Sequence, residues 1–354
     1  MWRRTLPIGG LLVAATIGAT VPDLAAAETP RVRLITTGGT ISNRPGERLT
    51  PDELIELVPD LHDLVEVETE EFTNIPSSAL TLDQWLRLTR RINQLFSADP
   101  ELAGVVVTSG TDTLEELAFF LHLTVRDERP VVVVGSMRRP ETQGYDGAAN
   151  LRQAFRVASY EASRGRGVLV VLNDEINSAR EVTKTDALNL QTFEARGYGM
   201  LGTVARDRIV YYRSLERRHT GTSEFNLDGV ARLPRVDVVM TYQGATGDLI
   251  RAAVDQGAEG IVVAGAGAGA TSSGQRDAIG YANERGVRVV IASRTGRGRV
   301  APRPPAHGND DPDQQQRRAI AGEDLAPIKA RILLMLGLTE TTDEAELQRM
   351  FSEY

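Results

Sequence analysis

A run of small and hydroxyl-bearing residues, Thr36-Thr37-Gly38-Gly39-Thr40-Ile41-Ser42, directly follows the first predicted strand of the chain. Two glycines at this point permit a tight turn and a close approach of a ligand to backbone N–H groups. Such a turn can supply a nucleophile, with Thr40 as a candidate, and an oxyanion hole built from neighbouring N–H groups such as that of Gly39. Alternatively the threonines only cap turns, and this segment alone does not decide between the two readings.

A second polar segment, Ser109-Gly110-Thr111-Asp112-Thr113, follows another predicted strand and leads into a predicted helix. Asp112 or Thr113 would cap that helix, with Glu115-Glu116 in its first turn. The side-by-side hydroxyl and carboxylate of Thr111 and Asp112 also suit the binding of an ammonium group and the positioning of a proton acceptor. The local sequence leaves both interpretations open.

Lysine is rare in this chain, because the basic positions are almost all arginine and the only lysines are Lys184 and Lys329. A desolvated amine can lose its proton, whereas a guanidinium effectively cannot. Lys184 follows a predicted strand, where catalytic groups gather. This position predicts that Lys184 forms a general-base relay with Thr111 and Asp112. The alternative for Lys184 is a solvated loop position. For Lys329, in a predicted helix, we expect a solvated face.

Metal and thiol chemistry find no support in the sequence. The chain has no cysteine, which excludes a thiol nucleophile. Its histidines lack the spacing of metal ligands, and each is predicted to lie on the surface or in a loop. These residues are His62, His122, His219 and His307. No metal site is therefore predicted.

Short apolar runs alternate with helical periodicity through the first half of the chain. The predicted strands are Arg31 to Thr36, Gly104 to Thr108, Pro130 to Gly135 and Gly167 to Leu172. The predicted helices are Leu82 to Phe96, Leu114 to Val125 and Ala148 to Ser163. Strands that are apolar on both faces imply a buried parallel sheet flanked by helices. Ligands bind beyond the carboxyl ends of such strands, which is where the two polar segments stand.

A polar, turn-rich stretch at 213–233 predicts a linker, and a second α/β unit follows it. The predicted strands of this unit are Val236 to Thr241, Gly260 to Ala264 and Val287 to Ala292. Its predicted helices are Leu249 to Gln256, Gln275 to Arg285, Ala326 to Leu336 and Glu344 to Phe351. Residues 297–316 predict an irregular excursion. The fold class is therefore α/β with two domains, a larger parallel-sheet (flavodoxin- or Rossmann-like) domain at 28–212 and a smaller one at 234–354.

Residues 1–27 predict an export signal, and hence a periplasmic or secreted protein. Arg3 and Arg4 precede the apolar run Leu11 to Ile17, and Ala25-Ala26-Ala27 offers a cleavage site before Glu28. The run is too short to span a membrane. A net charge of −8 argues against nucleic acid or an anionic membrane surface as a partner. Because the exported chain lacks cysteine, its stability must come from a hydrophobic core.

The two polar segments, Thr37 to Ile41 and Ser109 to Glu116, resemble the signature segments of the bacterial L-asparaginase family and occur in the family's order. The resemblance continues through Pro130 to Arg138, Val182 to Thr185 and Lys329 to Leu334. It therefore covers nearly the whole mature chain.

This resemblance implies an amidohydrolase that converts L-asparagine, or a relative such as L-glutamine, to the acid and ammonia. Thr40 matches the family's nucleophilic threonine. Thr111, Asp112 and Lys184 match its hydroxyl, carboxylate and amine triad. Ser77 matches a serine that contacts the α-carboxylate of the substrate.

Further substrate contacts are predicted within or beside the matching segments, at Gly39, Ser78, Gly110 and Ser136. The family works without a metal or organic cofactor. It is usually a homotetramer, a dimer of close dimers, and its periplasmic members carry export signals. The resemblance implies that this chain also needs no cofactor, forms a homo-oligomer and is exported.

Three departures from the family's pattern bear on the choice of substrate. A mobile loop after the nucleophile usually carries an assisting tyrosine, but Ser42 to Thr50 is short and has none. Ser78 stands where the family often has a glutamine that holds the substrate's amino group. In the family, a neighbouring subunit often completes the site with an asparagine and a glutamate. Here Gly265 to Ala270 lacks that asparagine, and Arg297 to Pro305 lacks that glutamate.

Two other functions compete with hydrolysis. The run Gly265 to Ala270 fits the G-x-G-x-x-A pattern of dinucleotide binding, and Arg294 could then meet a 2′-phosphate. Close packing explains the same small residues, and an exported protein has little access to NADP. The second alternative is a non-catalytic periplasmic amino-acid-binding protein of the same fold. The missing loop tyrosine favours it, whereas the amine of Lys184 favours an enzyme.

Overall fold

The computed structural model describes residues 1–2, 29–302 and 318–354. Outside the described residues lie the predicted signal peptide from residue 3 onward with its cleavage site, His307, and most of the predicted excursion at 297–316. None of the helices in the described ranges combines the length and the hydrophobicity that a membrane span needs.

The described part of the chain alternates strands and helices along its length. In chain order the strands are β1 (Arg31–Thr36), β2 (Asn43–Arg44), β3 (Glu47–Arg48), β4 (Glu66–Glu71), β5 (Leu102–Thr108), β6 (Val131–Val134), β7 (Val168–Leu172), β8 (Glu175–Ser178), β9 (Thr183–Lys184), β10 (Phe193–Glu194), β11 (Gly202–Val204), β12 (Ile209–Tyr211), β13 (Val236–Met240), β14 (Gly260–Gly265), β15 (Arg288–Ser293) and β16 (Ile320–Ala321). The α-helices are α1 (Pro51–Glu56), α2 (Leu82–Ala98), α3 (Leu114–Thr124), α4 (Gly147–Ala158), α5 (Asp248–Asp255), α6 (Ser273–Glu284), α7 (Pro327–Glu340) and α8 (Glu344–Glu353).

The strands form two main sheets, which confirms the predicted α/β fold class. The larger has the order β12-β11-β8-β7-β6-β5-β1-β4, and the smaller the order β13-β14-β15-β16. In the larger sheet β4, β1, β5, β6 and β7 are parallel, whereas β8, β11 and β12 extend it antiparallel. All four strands of the smaller sheet are parallel.

Helices cover both faces of the larger sheet, because its central strands are apolar on both sides. In β6, Val131 and Val133 pack with α2 and α3, while Val132 and Val134 pack with α4. The first of these clusters continues into α7 and α8, so the two sheets share one hydrophobic core. Such two-sided burial is what continuous apolar strands in parallel sheets require.

The predicted strands and helices are confirmed, with small shifts at their ends. One helix is shorter than predicted: α4 ends at Ala158, and Glu161–Ser163 forms a separate 3-10 turn. The strand β4 was not predicted, because its sequence Glu66–Glu71 is mostly acidic. It is an edge strand, where charged side chains are tolerated and discourage further pairing.

The segment 213–233, predicted as a polar linker, packs tightly against the first unit. Phe225 is fully buried and Leu227 nearly so. Arg90 donates hydrogen bonds to the carbonyl groups of Leu227 and Val230. The segment is therefore held on the body of the protein, and the exact domain boundaries stay a prediction.

His122 contradicts the prediction that every histidine lies on the surface or in a loop. It lies in α3 and is fully buried. Its Nδ1 accepts a hydrogen bond from the Val168 N–H at 3.1 Å, and its ring centre lies 5.1 Å from that of His219. Burial, followed by the charges of His219, Arg180 and Lys329, holds the pKa of His122 well below its usual range.

Acid should destabilise the protein through His122. An unfolded histidine titrates near pH ~6.5, whereas the native ring stays neutral well below that pH. The stabilisation is therefore complete above about pH 6.5 and is lost below it, by up to about 1.4 kcal/mol per pH unit. His122→Asn retains an acceptor for Val168 but cannot titrate, so the pH dependence of Tm below neutrality should flatten. His62→Asn, at an exposed histidine, is the control; an unchanged pH dependence in His122→Asn would contradict this account.

Candidate active site

Four adjacent parallel strands, β4, β1, β5 and β6, end at one edge of the larger sheet. The segments that follow them carry Ser77, Thr40, Thr111 with Asp112, and Ser136, respectively. Because the carboxyl ends of parallel strands share an edge, these segments meet in one crevice. The structure thus brings together residues that are up to about a hundred positions apart in the chain.

The segments after β1 and β5 touch through two glycines. Gly39 has a φ of +94°, and a Cβ added there would lie 2.3 Å from the backbone nitrogen of Gly110. A Cβ on Gly110 would lie 2.8 Å from the Oγ of Ser77. A larger residue at Gly39 would push the two segments apart, and one at Gly110 would displace the Ser77 side chain. Thr40 and Thr111 each follow one of these glycines, so both threonines stand beside the same contact.

Thr40 begins a 3-10 turn, Thr40–Ser42, and its side chain is only partly buried. The carbonyl oxygen of Gly39 accepts hydrogen bonds from the N–H and the Oγ of Ser42 and from Nη1 of Arg48, each at 3.3 Å. Arg48 belongs to the short β2–β3 hairpin that follows the turn. These bonds hold the turn that presents Thr40.

A tyrosine from outside the loop supports the same turn. The hydroxyl of Tyr145 donates a hydrogen bond to the carbonyl of Ile41 at 2.8 Å. Burial, with Asp146 and Glu141 nearby, raises the pKa of Tyr145 above its usual value. Tyr145 therefore supports the loop through this hydrogen bond. Because its phenol stays protonated and already donates to a carbonyl, it is poorly suited to accept a proton.

Lys184 reaches the segment after β5. It lies in β9, which pairs with β10, and its Nζ is 3.1 Å from Thr111 Oγ1 and 2.9 Å from Asp112 Oδ1. The Lys184 side chain is 14% exposed, whereas that of Asp112 is 77% exposed. The structure therefore assembles the hydroxyl, carboxylate and amine that the sequence singled out.

The capping interpretation of the second segment is confirmed only in part, because Glu115 and Glu116 lie in the first turn of α3 but the side-chain cap is absent. Thr113 occupies the N-cap position of α3, but no side chain caps the helix there. The Thr113 N–H donates to Ser77 Oγ at 3.4 Å, and the Asp112 carboxylate pairs with Lys184. The start of α3 is therefore hydrogen-bonded to Ser77, and the carboxylate of Asp112 is available to pair with Lys184.

The remaining predicted contacts differ in their accessibility. Ser77 is 5% exposed, whereas Ser78 is exposed and free to meet a ligand. Ser136 is fully buried, and its Oγ donates to the carbonyl of Arg138 at 2.7 Å. In the described structure Ser136 therefore stabilises its own loop, and its contact with substrate stays a prediction.

The glycine-rich run after β14 does not have the geometry of a dinucleotide site. Ala266 and Ala270 bond to each other through both pairs of N–H and carbonyl groups, so the loop closes on itself. The start of α6 is capped by Ser272, whose Oγ accepts from the Gln275 N–H at 3.1 Å. The N–H groups of Ala266, Gly269, Ala270 and Gln275 are therefore used within the protein and cannot hold a pyrophosphate.

The prediction of a solvated face for Lys329 is wrong, because its side chain is only 2% exposed. The helix α7 is apolar on nearly all sides, as expected of a helix inside a core. Glu115, predicted only as a first-turn residue of α3, is also buried and lies beside Lys329. The rarity of lysine drew attention to Lys329, but no local pattern showed its burial.

Comparison with known proteins identifies similar chains over almost the whole length. A family model described as "Asparaginase, N-terminal" matches residues 31–217, and one described as "Glutaminase/Asparaginase C-terminal domain" matches residues 235–351. The L-asparaginase 2 of Bacillus subtilis is 40% identical, with 92% of this chain and 87% of the relative covered. A probable periplasmic L-asparaginase of Haemophilus influenzae is 36% identical, with 97% and 99% covered. The crystal structure of a probable cytoplasmic L-asparaginase from Campylobacter jejuni has a TM-score of 0.85 and 37% identity, with 92% and 100% covered.

Proposed function

The chain belongs to the asparaginase family of amidohydrolases, and on that premise we propose that it hydrolyses the side-chain amide of L-asparagine through Thr40. Thr40 Oγ1 adds to the amide carbon while its proton passes to the neighbouring relay. Collapse of the tetrahedral intermediate breaks the C–N bond, and a proton delivered to the nitrogen releases ammonia. Water then cleaves the resulting ester, which yields L-aspartate and restores the Thr40 hydroxyl.

The observation that carries this proposal is the double contact of Lys184 with Thr111 and Asp112, in a loop that touches the Thr40 turn. In the proposed working form the amine is neutral, and the Thr111 hydroxyl donates to Nζ across the same 3.1 Å contact. Nζ then donates to the Asp112 carboxylate. In this proposal the Thr111 oxygen accepts the proton of Thr40 as Thr111 passes its own proton to Nζ, so that the lysine serves as the base without the loop tyrosine of the family.

Ammonia release from a panel of amides tests the reaction and its specificity together. We expect release from L-asparagine and weaker release from L-glutamine, because the family model that matches residues 235–351 is described for glutaminases as well as asparaginases. The panel should include D-asparagine and an amide without an α-amino group. Binding of L-asparagine with no ammonia from any member would instead support the non-catalytic binding protein.

We also propose that the active species is a homo-oligomer, as is common in this family. The edge strand β13 exposes Val238 and Met240 on one face, and Tyr242 is exposed just beyond its end. Leu249, at the start of α5, is 60% exposed. An apolar stripe of this kind on an edge strand is typical of a contact between subunits.

Met240→Asp should shift the protein to a smaller assembly in light scattering, because it places a charge in that apolar stripe. Met240 is 56% exposed in the single chain, so the substitution should leave the fold of each subunit unchanged. Tyr160→Asp, at an exposed aromatic outside the stripe, is the control. A fully active monomer before any substitution would contradict the oligomer proposal.

Export to the periplasm or beyond the cell stays a proposal based on residues 1–27. The names of two similar proteins differ on this point, since one is called periplasmic and the other cytoplasmic. Determining the N-terminal residue of the mature protein would test it, with Glu28 as the expected first residue.

A further inference from the structure

The two lysines of this arginine-rich chain lie on either side of one buried carboxylate, that of Glu115. Glu115 Oε1 accepts hydrogen bonds from the Thr183 hydroxyl at 2.9 Å and from the Lys184 N–H at 3.1 Å. Its Oε2 has no hydrogen-bond partner within the described part of the chain and lies 3.9 Å from Lys329 Nζ. One carboxylate thus joins the main chain of Lys184 to the ammonium of Lys329.

The ammonium of Lys329 also holds the segment that leads to Lys184. Nζ donates to the carbonyl oxygens of Ala179 and Arg180, each at 3.0 Å, and to that of Val182. A lysine ammonium has three hydrogens, which match these three acceptors. The planar fork of an arginine would not satisfy the same triangle in this space.

We propose that Lys329, through Glu115 and these three carbonyls, is a positioning residue for Lys184. It fixes residues 179–184, so that the Lys184 amine meets Thr111 and Asp112. This inference rests on the proposed role of Lys184 in the reaction, and it makes the C-terminal helix α7 part of the support of the site.

The placement of Lys329 is unfavourable for stability alone, which supports a positioning role. Removing an ammonium from water is unfavourable unless its partners compensate, so the burial of Lys329 depends on the three carbonyl oxygens and the Glu115 carboxylate around it. Burial lowers the pKa of Lys329 to about 8, against the opposing effect of Glu115 and with the additional effect of Arg180. Because the Lys329 ammonium is kept in a desolvated position, its hydrogen bonds to residues 179–182 are needed there.

Lys329→Met should lower kcat by about 10- to 10²-fold with little change in KM, because a displaced catalytic amine slows the chemical step more than binding. The matched control is Arg129→Met. Arg129 is another buried cation that donates to main-chain carbonyls, those of Asp99 at 2.7 Å and Leu102 at 3.2 Å, in a region remote from the crevice. It should lose thermal stability and keep kcat.

Selective 13C and 15N labelling of lysine gives a readout that a general loss of stability would not move. The wild-type protein has two lysines, so in Lys329→Met the signal of Lys184 is the single lysine signal that remains. We expect this signal to shift and broaden in Lys329→Met and to stay unchanged in Arg129→Met.

Glu115→Gln keeps the size of the side chain and an acceptor for Thr183 and Lys184, and serves where Lys329→Met folds poorly. It should lower kcat in the same direction and shift the Lys184 signal. Unchanged kcat and an unchanged Lys184 signal in either folded variant would overturn the positioning role. The premise is tested separately by Lys184→Met: full activity there would refute the proposed role of Lys184 whatever Lys329 does.

Discussion

Thr40→Ala should lose nearly all amide hydrolysis, by about 10⁴-fold or more, while the protein folds normally. The expected loss is large because no covalent intermediate can form without the Thr40 hydroxyl. The fold should survive because Thr40 is partly exposed in a turn whose bonds come from Gly39, Ser42 and Arg48. Steady-state ammonia release and thermal unfolding of the same preparation measure the two effects.

Two substitutions at the same position separate the hydroxyl from the shape of the side chain. Thr40→Val keeps the branched shape and should be as inactive as Thr40→Ala. Thr40→Ser keeps the hydroxyl and should retain a measurable fraction of the activity. Mass spectrometry of a rapidly quenched reaction should find the acyl group on the peptide that contains Thr40. Wild-type turnover in Thr40→Val would remove the central proposal.

The parts of the fold that the sequence predicts are those governed by local pattern. The continuous valines of β6 predict a strand buried on both faces, and Gly38-Gly39 after β1 predicts a tight turn at the carboxyl edge. Both follow from rules that act over a few residues, namely side-chain alternation and the backbone freedom of glycine. The crevice follows from them, because parallel strands bring their ends to a common edge.

The failures concern burial that only the tertiary structure creates. His122 and Lys329 have charged or polar side chains, which usually lie at the surface, and nothing within a few residues of either shows that another element covers it. Each is buried because its helix is covered on several sides by elements distant in sequence. The edge strand β4 was missed because its acidic sequence does not resemble a buried strand. Such side chains are compatible with a strand at the edge of a sheet, where one side of the strand has no neighbouring strand.

Composition, in contrast, drew attention to Lys184, whose amine lies beside Thr111 and Asp112 in the structure. A chain that uses arginine at almost every basic position keeps lysine at the one place where an amine reaches both Thr111 and Asp112. The direction in which the proton moves across these contacts is not a property of heavy-atom positions. A neutral amine and an ammonium both fit distances of 3.1 and 2.9 Å. Substitution at Lys184 has to separate them.

Lys184→Arg should lower kcat by about 10²-fold or more, because a guanidinium keeps the positive charge but cannot accept a proton. Lys184→Met, which removes charge and amine together, should lower kcat by a comparable factor. If Lys184 acts only as an ammonium that positions Asp112, arginine should instead restore most of the activity that methionine removes. The ratio of the two kcat values therefore distinguishes a proton relay from electrostatic support.

Both variants should fold, because the side chain of Lys184 lies at the edge of the crevice and its main chain is held independently by Glu115. Thermal unfolding checks this, and unchanged KM for L-asparagine would show that binding survives. Comparable losses of kcat in the two folded variants would support the relay, in which Thr111 passes a proton to Lys184. Near-wild-type kcat in Lys184→Arg would defeat the relay, and the base that accepts the proton of Thr40 would then have to be sought outside the Thr111, Asp112 and Lys184 cluster.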